Sequence, residues 1–181
     1  LDTITDLSTY SIGSLLSGGG SHPSVNEPQA WLDMYNNYQE ETLKSRLQIP
    51  LIYGIDAVHG HNNVYGATIF PQNIGLGATN NPELVFKISE ATSIEVAATG
   101  IDWTFSPCLS SPEDYRWGRT YEGYSSDPAL VEKLGEASVM GYQSAQTNSG
   151  KKVVACAKHF IGDGNTCLLY TSPSPRDASV S

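Results

Sequence analysis

Residues 153–164 have the sequence VVACAKHFIGDG, and this stretch carries the strongest fold signal in the chain. An apolar run comes first, then Lys158 and His159 stand side by side, and glycines follow at 162 and 164. This order predicts a buried strand that presents polar groups at its carboxyl end. Enzymes built on parallel barrels place their chemistry at that end of their strands.

The adjacency of Lys158 and His159 constrains the local backbone. Successive residues of a regular strand point to opposite faces, so both side chains reach one pocket only where the strand ends or distorts. The alternative is that Lys158 points to solvent and His159 is a partly buried histidine with no ligand. The rest of the chain favours the interpretation in which the strand ends or distorts and both side chains face one pocket.

Strands and helices alternate along the chain. The patterns predict strands at residues 10–20, 49–58, 101–107 and 153–164, and helices at residues 28–47, 81–100 and from 127 onward, with residues 68–79 as a loop. Asn81-Pro82 and Asp127-Pro128 are typical helix starts, and Val85, Ile88, Thr92 and Val96 are expected to face a core. Alternation of this kind predicts an α/β fold with a parallel sheet, either a barrel or an open doubly wound sheet.

Composition excludes several classes of partner. The chain has 10 Lys and Arg against 19 Asp and Glu, a formal net charge of -9, and no basic run, so we predict no nucleic-acid or membrane partner. Cys108, Cys156 and Cys167 lack CxxC spacing, and neither GxGxxG nor GxxxxGK[ST] occurs, so we predict no metal and no cofactor.

Polar residues follow the predicted strands. Asp56 is a carboxylate in an otherwise apolar strand, which is costly unless a protein group or a ligand pairs with it. The loop at residues 113–122 holds two arginines, three acids and three aromatics, which is dense for a connection.

The composition changes abruptly near the carboxyl end. Residues 167–181 are rich in Ser and Pro where the alternation requires a helix. We therefore predict a domain at residues 1–166 and a non-native segment at 167–181.

Four motifs support a family resemblance. They are residues 53–60 (YGIDAVHG), 68–78 (TIFPQNIGLGA), 116–122 (RWGRTYE) and 157–164 (AKHFIGDG). In order and spacing they resemble the N-terminal domain of glycoside hydrolase family 3, especially its β-glucosidases and β-glucan exohydrolases. The resemblance implies that residues 1–166 form about the first four strand-helix units of a (β/α)8 barrel of the TIM type. It also implies a following α/β sandwich domain that completes the active site.

The resemblance further implies an activity. Family members release β-D-glucose from the non-reducing ends of β-glucosides or β-glucan oligosaccharides with retention of configuration, and a secreted enzyme is expected. Retention needs two carboxyl groups about 5 to 5.5 Å apart. The nucleophilic Asp and the acid/base Glu of the family lie beyond residue 166, so we predict no catalytic residue in this chain and no activity for it alone.

The matched positions assign roles to eight residues. By resemblance, four bind sugar hydroxyls: Asp56, Arg116, Lys158 and His159. Four others orient them or cap turns: His59, Arg119, Glu122 and Asp163. Trp103 and Trp117 are expected to pack in the protein.

Several alternatives stay open. Within the family, β-xylosidase and β-N-acetylhexosaminidase activities are possible. From another class, the chain could be a non-catalytic sugar-binding fragment, although four strands cannot close a barrel and would leave an exposed edge and an uncovered core. A metal site at His59, His61 and His159 is disfavoured because no carboxylate stands at ligand spacing.

Overall fold

A computed structural model describes residues 1–17, 21–159 and 162–164 of the chain. The helices are α1 (Asp6–Thr9), α2 (Pro28–Thr42), α3 (Asn73–Ala78), α4 (Pro82–Ala98) and α5 (Pro128–Ser144), and a 3₁₀ turn spans Thr120–Glu122. The strands are β1 (Ser14–Leu16), β2 (Ile52–Ile55), β3 (Trp103–Thr104) and β4 (Val154–Ala155). The segment 167–181, predicted to be non-native, lies outside the described residues.

The four strands form one sheet in the order β1-β2-β3-β4, and every neighbouring pair is parallel. The predicted α/β fold with a parallel sheet is therefore confirmed. The strands are shorter than predicted, but hydrogen bonds continue past their ends, for example from Cys156 N to Ser106 O at 2.8 Å. These extra bonds hold the carboxyl ends of β3 and β4 together where the polar residues follow.

Two helices begin as their sequences predict. Asn81 caps α4 by accepting a hydrogen bond from the backbone N–H of Leu84 at 3.1 Å, and Asp127 caps α5 by accepting from Ala129 N at 3.0 Å. In contrast, α2 ends at Thr42 rather than at residue 47. The chain then turns back through Gln48, whose φ of 52° no helix can accommodate.

The prediction of a loop over residues 68–79 is wrong in its second half, which forms α3. Tertiary packing outweighs the low helix propensity of its two glycines. Leu76 is buried beside Tyr124, and the side-chain amide of Asn73 donates to Glu122 O at 2.9 Å. Gly77 lies so close to the Tyr124 carbonyl that a Cβ there would be 1.6 Å from its oxygen.

The two faces of the sheet have different environments. Tyr53 and Ile55 are fully buried in a core formed with α2 and α4, whereas Leu16, Ile52 and Val154 on the other face are more than half exposed. Paired residues of neighbouring strands lie on the same face of the sheet. Leu16 pairs with Gly54 and Trp103 pairs with Val154 on this exposed face. In the part of the chain that the structure describes, the side chains of Trp103 and Phe105 pack over Gly54 on this face, while Leu16, Ile52 and Val154 remain largely exposed, as expected of an incomplete barrel.

Candidate functional site

A cavity of about 670 Å³ lies beyond the carboxyl ends of β2, β3 and β4. Its wall contains eight polar residues, Asp56, His59, Asn62, Gln72, Arg119, Glu122, Lys158 and His159, together with Leu16, Val58, Phe105, Tyr121 and Cys156. Three of the four residues predicted to bind hydroxyls therefore share one hollow, and Arg116 is the exception.

Asp56 and Lys158 form an ion pair across the cavity floor. The Lys158 Nζ lies 2.6 Å from Asp56 Oδ1, although 102 residues separate them in the chain. Lys158 is only 13% exposed, so it does not point to solvent, while the Asp56 side chain is 48% exposed. Asp56 has the partner that an acid in an apolar strand requires, but it is more exposed than a strand position would make it, because it follows the last paired residue of β2 and faces the open cavity. Among the described residues, its Oδ2 has no hydrogen-bond partner.

His159 lies beside Lys158 in the same wall because β4 has already ended at Ala155. The strand thus ends before these two residues, well short of the predicted range 153–164, and the peptide bond between them is cis. The His159 Nδ1 is 2.7 Å from Asp163 Oδ2, and Nε2 is 3.2 Å from Arg119 Nη2. Since a carboxylate accepts and a guanidinium donates, the ring is the tautomer with hydrogen on Nδ1.

Arg119 and Glu122 form a doubly hydrogen-bonded pair on the 3₁₀ side of the cavity. The Arg119 Nε and Nη2 donate to the two Glu122 oxygens at 2.7 and 2.6 Å. This pairing raises the pKa of Arg119 and lowers that of Glu122, so both groups stay charged. Arg119 lines the cavity directly, although the sequence predicts only an orienting role for it.

Arg116 lies away from the cavity wall. Its backbone N–H and guanidinium bind the Asp114 carboxylate, with Nη2 to Oδ2 at 2.6 Å, and its side chain is 75% exposed. The hydrogen bonds from Arg116 lower the pKa of Asp114 to about 2. The tight turn from Asp114 to Trp117 folds Arg116 back onto Asp114, and this explains why the structure does not bring it to the predicted site.

His59 and Gln72 form another part of the wall, on the segment after β2. The His59 Nδ1 is 2.9 Å from Phe70 O, and its Nε2 is 3.2 Å from Gln72 Nε2. His59 is thus held by its neighbours, consistent with the orienting role expected of it. Gln72 and Tyr121 were not singled out from the sequence, although both lie inside the quoted motifs.

The third imidazole considered for a metal site is not in the cavity. His61 is buried against Trp31, and its Nε2 is 2.8 Å from Thr99 Oγ1. Burial lowers the pKa of His61 to about 4 from 6.5. In the residues that the structure describes, no group of three potential ligands is arranged for a metal ion.

This buried imidazole predicts acid-sensitive stability. Below pH 6.5 His61 binds a proton in the unfolded chain, but in the folded protein it stays neutral until about pH 4. The free energy of unfolding therefore falls as the pH falls from about 6.5 to 4. The decrease in the free energy of unfolding between pH 7 and 4.5 should be about 2 to 3 kcal/mol smaller in His61→Gln than in the wild type. Denaturant unfolding of the full-length protein at both pH values measures it. The exposed His22→Gln is the control and should retain the loss, and equal pH dependence in both variants would contradict the prediction.

The chain is similar to known proteins in sequence and in fold. The family model for the glycosyl hydrolase family 3 N-terminal domain matches residues 2–170. The chain belongs to this family. The lysosomal beta glucosidase of Dictyostelium discoideum is 39% identical over 166 residues, which cover 85% of this chain and 20% of that protein. A beta-xylosidase of Formosa agariphila is 36% identical over 131 residues, covering 68% of this chain and 18% of the relative.

A solved family 3 structure has the same fold. The crystal structure of a mutant exo-1,3/1,4-beta-glucanase from a Pseudoalteromonas species superposes with a TM-score of 0.83 at 44% identity, covering 91% of this chain and 28% of that one. The predicted family and the partial (β/α)8 architecture are confirmed. The chain spans about a fifth of the curated relatives' length.

Proposed function

We propose that the protein containing this chain hydrolyses O-glycosyl bonds and releases β-D-glucose from the non-reducing ends of β-glucosides or β-glucans. The observation that carries the proposal is the grouping of Asp56, Lys158, His159 and Arg119 around one open cavity in a family 3 chain. A neutral, hydroxyl-rich ring fits a wall that holds both charged donors and charged acceptors. Such charge-assisted hydrogen bonds are about twice as strong as neutral ones.

Asp56 and Lys158 would hold adjacent hydroxyls of the sugar. Asp56 Oδ2 is free to accept within the described part of the cavity, and Lys158 can donate two hydrogens besides the one given to Asp56. Because the ion pair already exists before the ligand arrives, the two groups need little reorganisation. Bonds of this kind that strengthen toward an oxocarbenium-like transition state contribute to catalysis as well as to binding.

The two carboxylates in the cavity wall are each already paired with a cation. Glu122 is bound by Arg119 through both oxygens, and Asp56 is paired with Lys158. This supports the proposal that the nucleophilic Asp and the acid/base Glu of a retaining mechanism come from residues beyond 166. A following α/β sandwich domain would complete the pocket.

We propose that Arg119, rather than Arg116, is the arginine that meets the sugar. Arg119→Ala should raise KM for an aryl β-glucoside at least about 30-fold, which is ~2 kcal/mol, because it removes a charged donor from the cavity wall. Arg116→Ala is the matched variant and should change KM less than about threefold, since exposed ion pairs contribute little. Steady-state kinetics of the full-length enzyme measure both, and the reverse ranking would restore Arg116 to the site.

Expression of the full-length protein tests the function. We expect hydrolysis of an aryl β-glucoside, with β-glucose as the first anomer seen by proton NMR. A folded protein that hydrolyses no glycoside would contradict the proposal. Glucose binding without hydrolysis would instead support the non-catalytic sugar-binding alternative.

A β-xylosidase activity is the second candidate, and the Formosa agariphila relative favours it. Xylose lacks the hydroxymethyl group of glucose but presents the same ring hydroxyls to Asp56 and Lys158. Comparing kcat/KM for glucoside, xyloside and N-acetylglucosaminide substrates separates these activities from β-N-acetylhexosaminidase.

We also propose a compartment outside the cytoplasm, which the lysosomal relative supports. The described helices include none that is both long and apolar enough to cross a bilayer. Fractionation of the source cells, with the enzyme followed by its activity, tests the compartment.

A further inference from the structure

We infer that Cys108 is a positioning residue that couples the two cations of the cavity, Arg119 and Lys158. The inference rests on the proposed function, because its expected effect is on how these cations meet the sugar. Cys108 belongs to none of the four family motifs and does not line the cavity. Its side chain contacts Glu122, and the residues on either side of it are hydrogen-bonded to Lys158.

The side chain of Cys108 bonds to the Glu122 carboxylate. Its Sγ lies 3.5 Å from Glu122 Oε2, and the residue is 1% exposed. Burial raises the pKa of the Cys108 thiol to about 12, so the sulfur keeps its proton and donates it to the carboxylate. The buried thiol therefore fixes the position of Oε2 from the protein side.

Glu122 transmits this constraint to the cavity. The same Oε2 accepts from Arg119 Nη2 at 2.6 Å, and that nitrogen also lies 3.2 Å from His159 Nε2. A shift of the carboxylate would thus move the guanidinium and release the imidazole. Cys108 acts on the sugar only through these groups.

The backbone around Cys108 positions the second cation. Cys108 forms an isolated parallel bridge with Lys158, in which Lys158 N donates to Pro107 O at 2.9 Å and Leu109 N donates to Lys158 O. The segment that carries the thiol is therefore hydrogen-bonded to the residue that pairs with Asp56. The segment 107–109 therefore connects both cationic sides of the cavity, through the Cys108 thiol and through the backbone of the residues on either side of it.

Kinetics of full-length variants test the inference. Cys108→Ala should raise KM for an aryl β-glucoside about tenfold with kcat changed less than about twofold, the signature of lost uniform binding. Cys108→Ser restores a donor of similar size and should return KM to within about threefold of wild type. The control is Ser110→Ala, a buried truncation two residues away whose hydroxyl has no partner among the described groups. It should leave KM unchanged, and a Cys108→Ala enzyme with the same kinetics as this control would overturn the inference.

A thermal double-mutant cycle decides the point independently of activity. We expect Cys108→Ala and Glu122→Gln to be non-additive: Cys108→Ala should lower the melting temperature less in the Glu122→Gln background than in the wild type, because only the cost of the cavity remains there. Additive shifts would show that the thiol does not hold the carboxylate, and would overturn the inference. An inactive but folded wild-type protein would contradict the proposed function, and the cycle would still decide the role of Cys108.

Discussion

Asp56→Ala should lower kcat/KM of the full-length enzyme for an aryl β-glucoside by about 1000-fold, or ~4 kcal/mol. The substitution removes the acceptor of at least one charge-assisted hydrogen bond to the sugar, and each such bond contributes about 1.5 to 3 kcal/mol. It also leaves the ammonium group of Lys158, only 13% exposed, without its partner. Steady-state kinetics with the purified variant measure the loss.

The control for this experiment is Asp33→Ala. Asp33 is an exposed acid of α2 that accepts a hydrogen bond from Gln29, and it lies outside the cavity wall. Its kinetics should match those of the wild type. A loss of less than about tenfold in Asp56→Ala would mean that Asp56 does not contact the sugar.

The largest effect on stability is expected from Gly77→Ala in α3. A Cβ at this position would be 1.6 Å from Tyr124 O and 2.6 Å from Tyr124 C, and backbone atoms cannot move aside as a side-chain end can. We expect a loss of at least about 3 kcal/mol in the free energy of unfolding, because α3 must separate from the chain that follows the 3₁₀ turn. Denaturant unfolding of the full-length protein measures it.

Gly75→Ala in the same helix is the matched control. The nearest atom to a Cβ at Gly75 is Pro71 Cβ at 3.6 Å, an ordinary contact. Alanine has the higher helix propensity, so Gly75→Ala should be neutral or stabilising by up to about 1 kcal/mol. Similar destabilisation by both substitutions would show that helix propensity, rather than the approach to Tyr124, controls this segment.

Local sequence rules predicted much of the fold. Strand and helix alternation indicated the parallel sheet, and the Asx-Pro pairs at residues 81–82 and 127–128 indicated two helix starts, because these features depend on neighbouring residues. Helix α3 could not be predicted in this way. Its glycines argue against a helix, and what stabilises it is burial of Leu76 beside Tyr124, which lies far along the chain.

The candidate site was predictable in its strand-end residues and less so in its loop. Asp56, Lys158 and His159 closely follow strands, so the sheet itself brings them together. Arg116 and Arg119 belong to one polar loop, and composition does not reveal which one faces inward. The turn that binds Arg116 to Asp114 decides this, and the contact of Cys108 with Glu122 is equally invisible in sequence.

A crystal structure of the full-length protein with glucose tests most directly whether this cavity binds the sugar. We predict a pyranose in the cavity, with one hydroxyl about 2.6 to 3.2 Å from an Asp56 carboxylate oxygen and a neighbouring hydroxyl at similar distance from Lys158 Nζ. Glucose bound elsewhere, with the Asp56 carboxylate making no contact with it, would contradict this prediction.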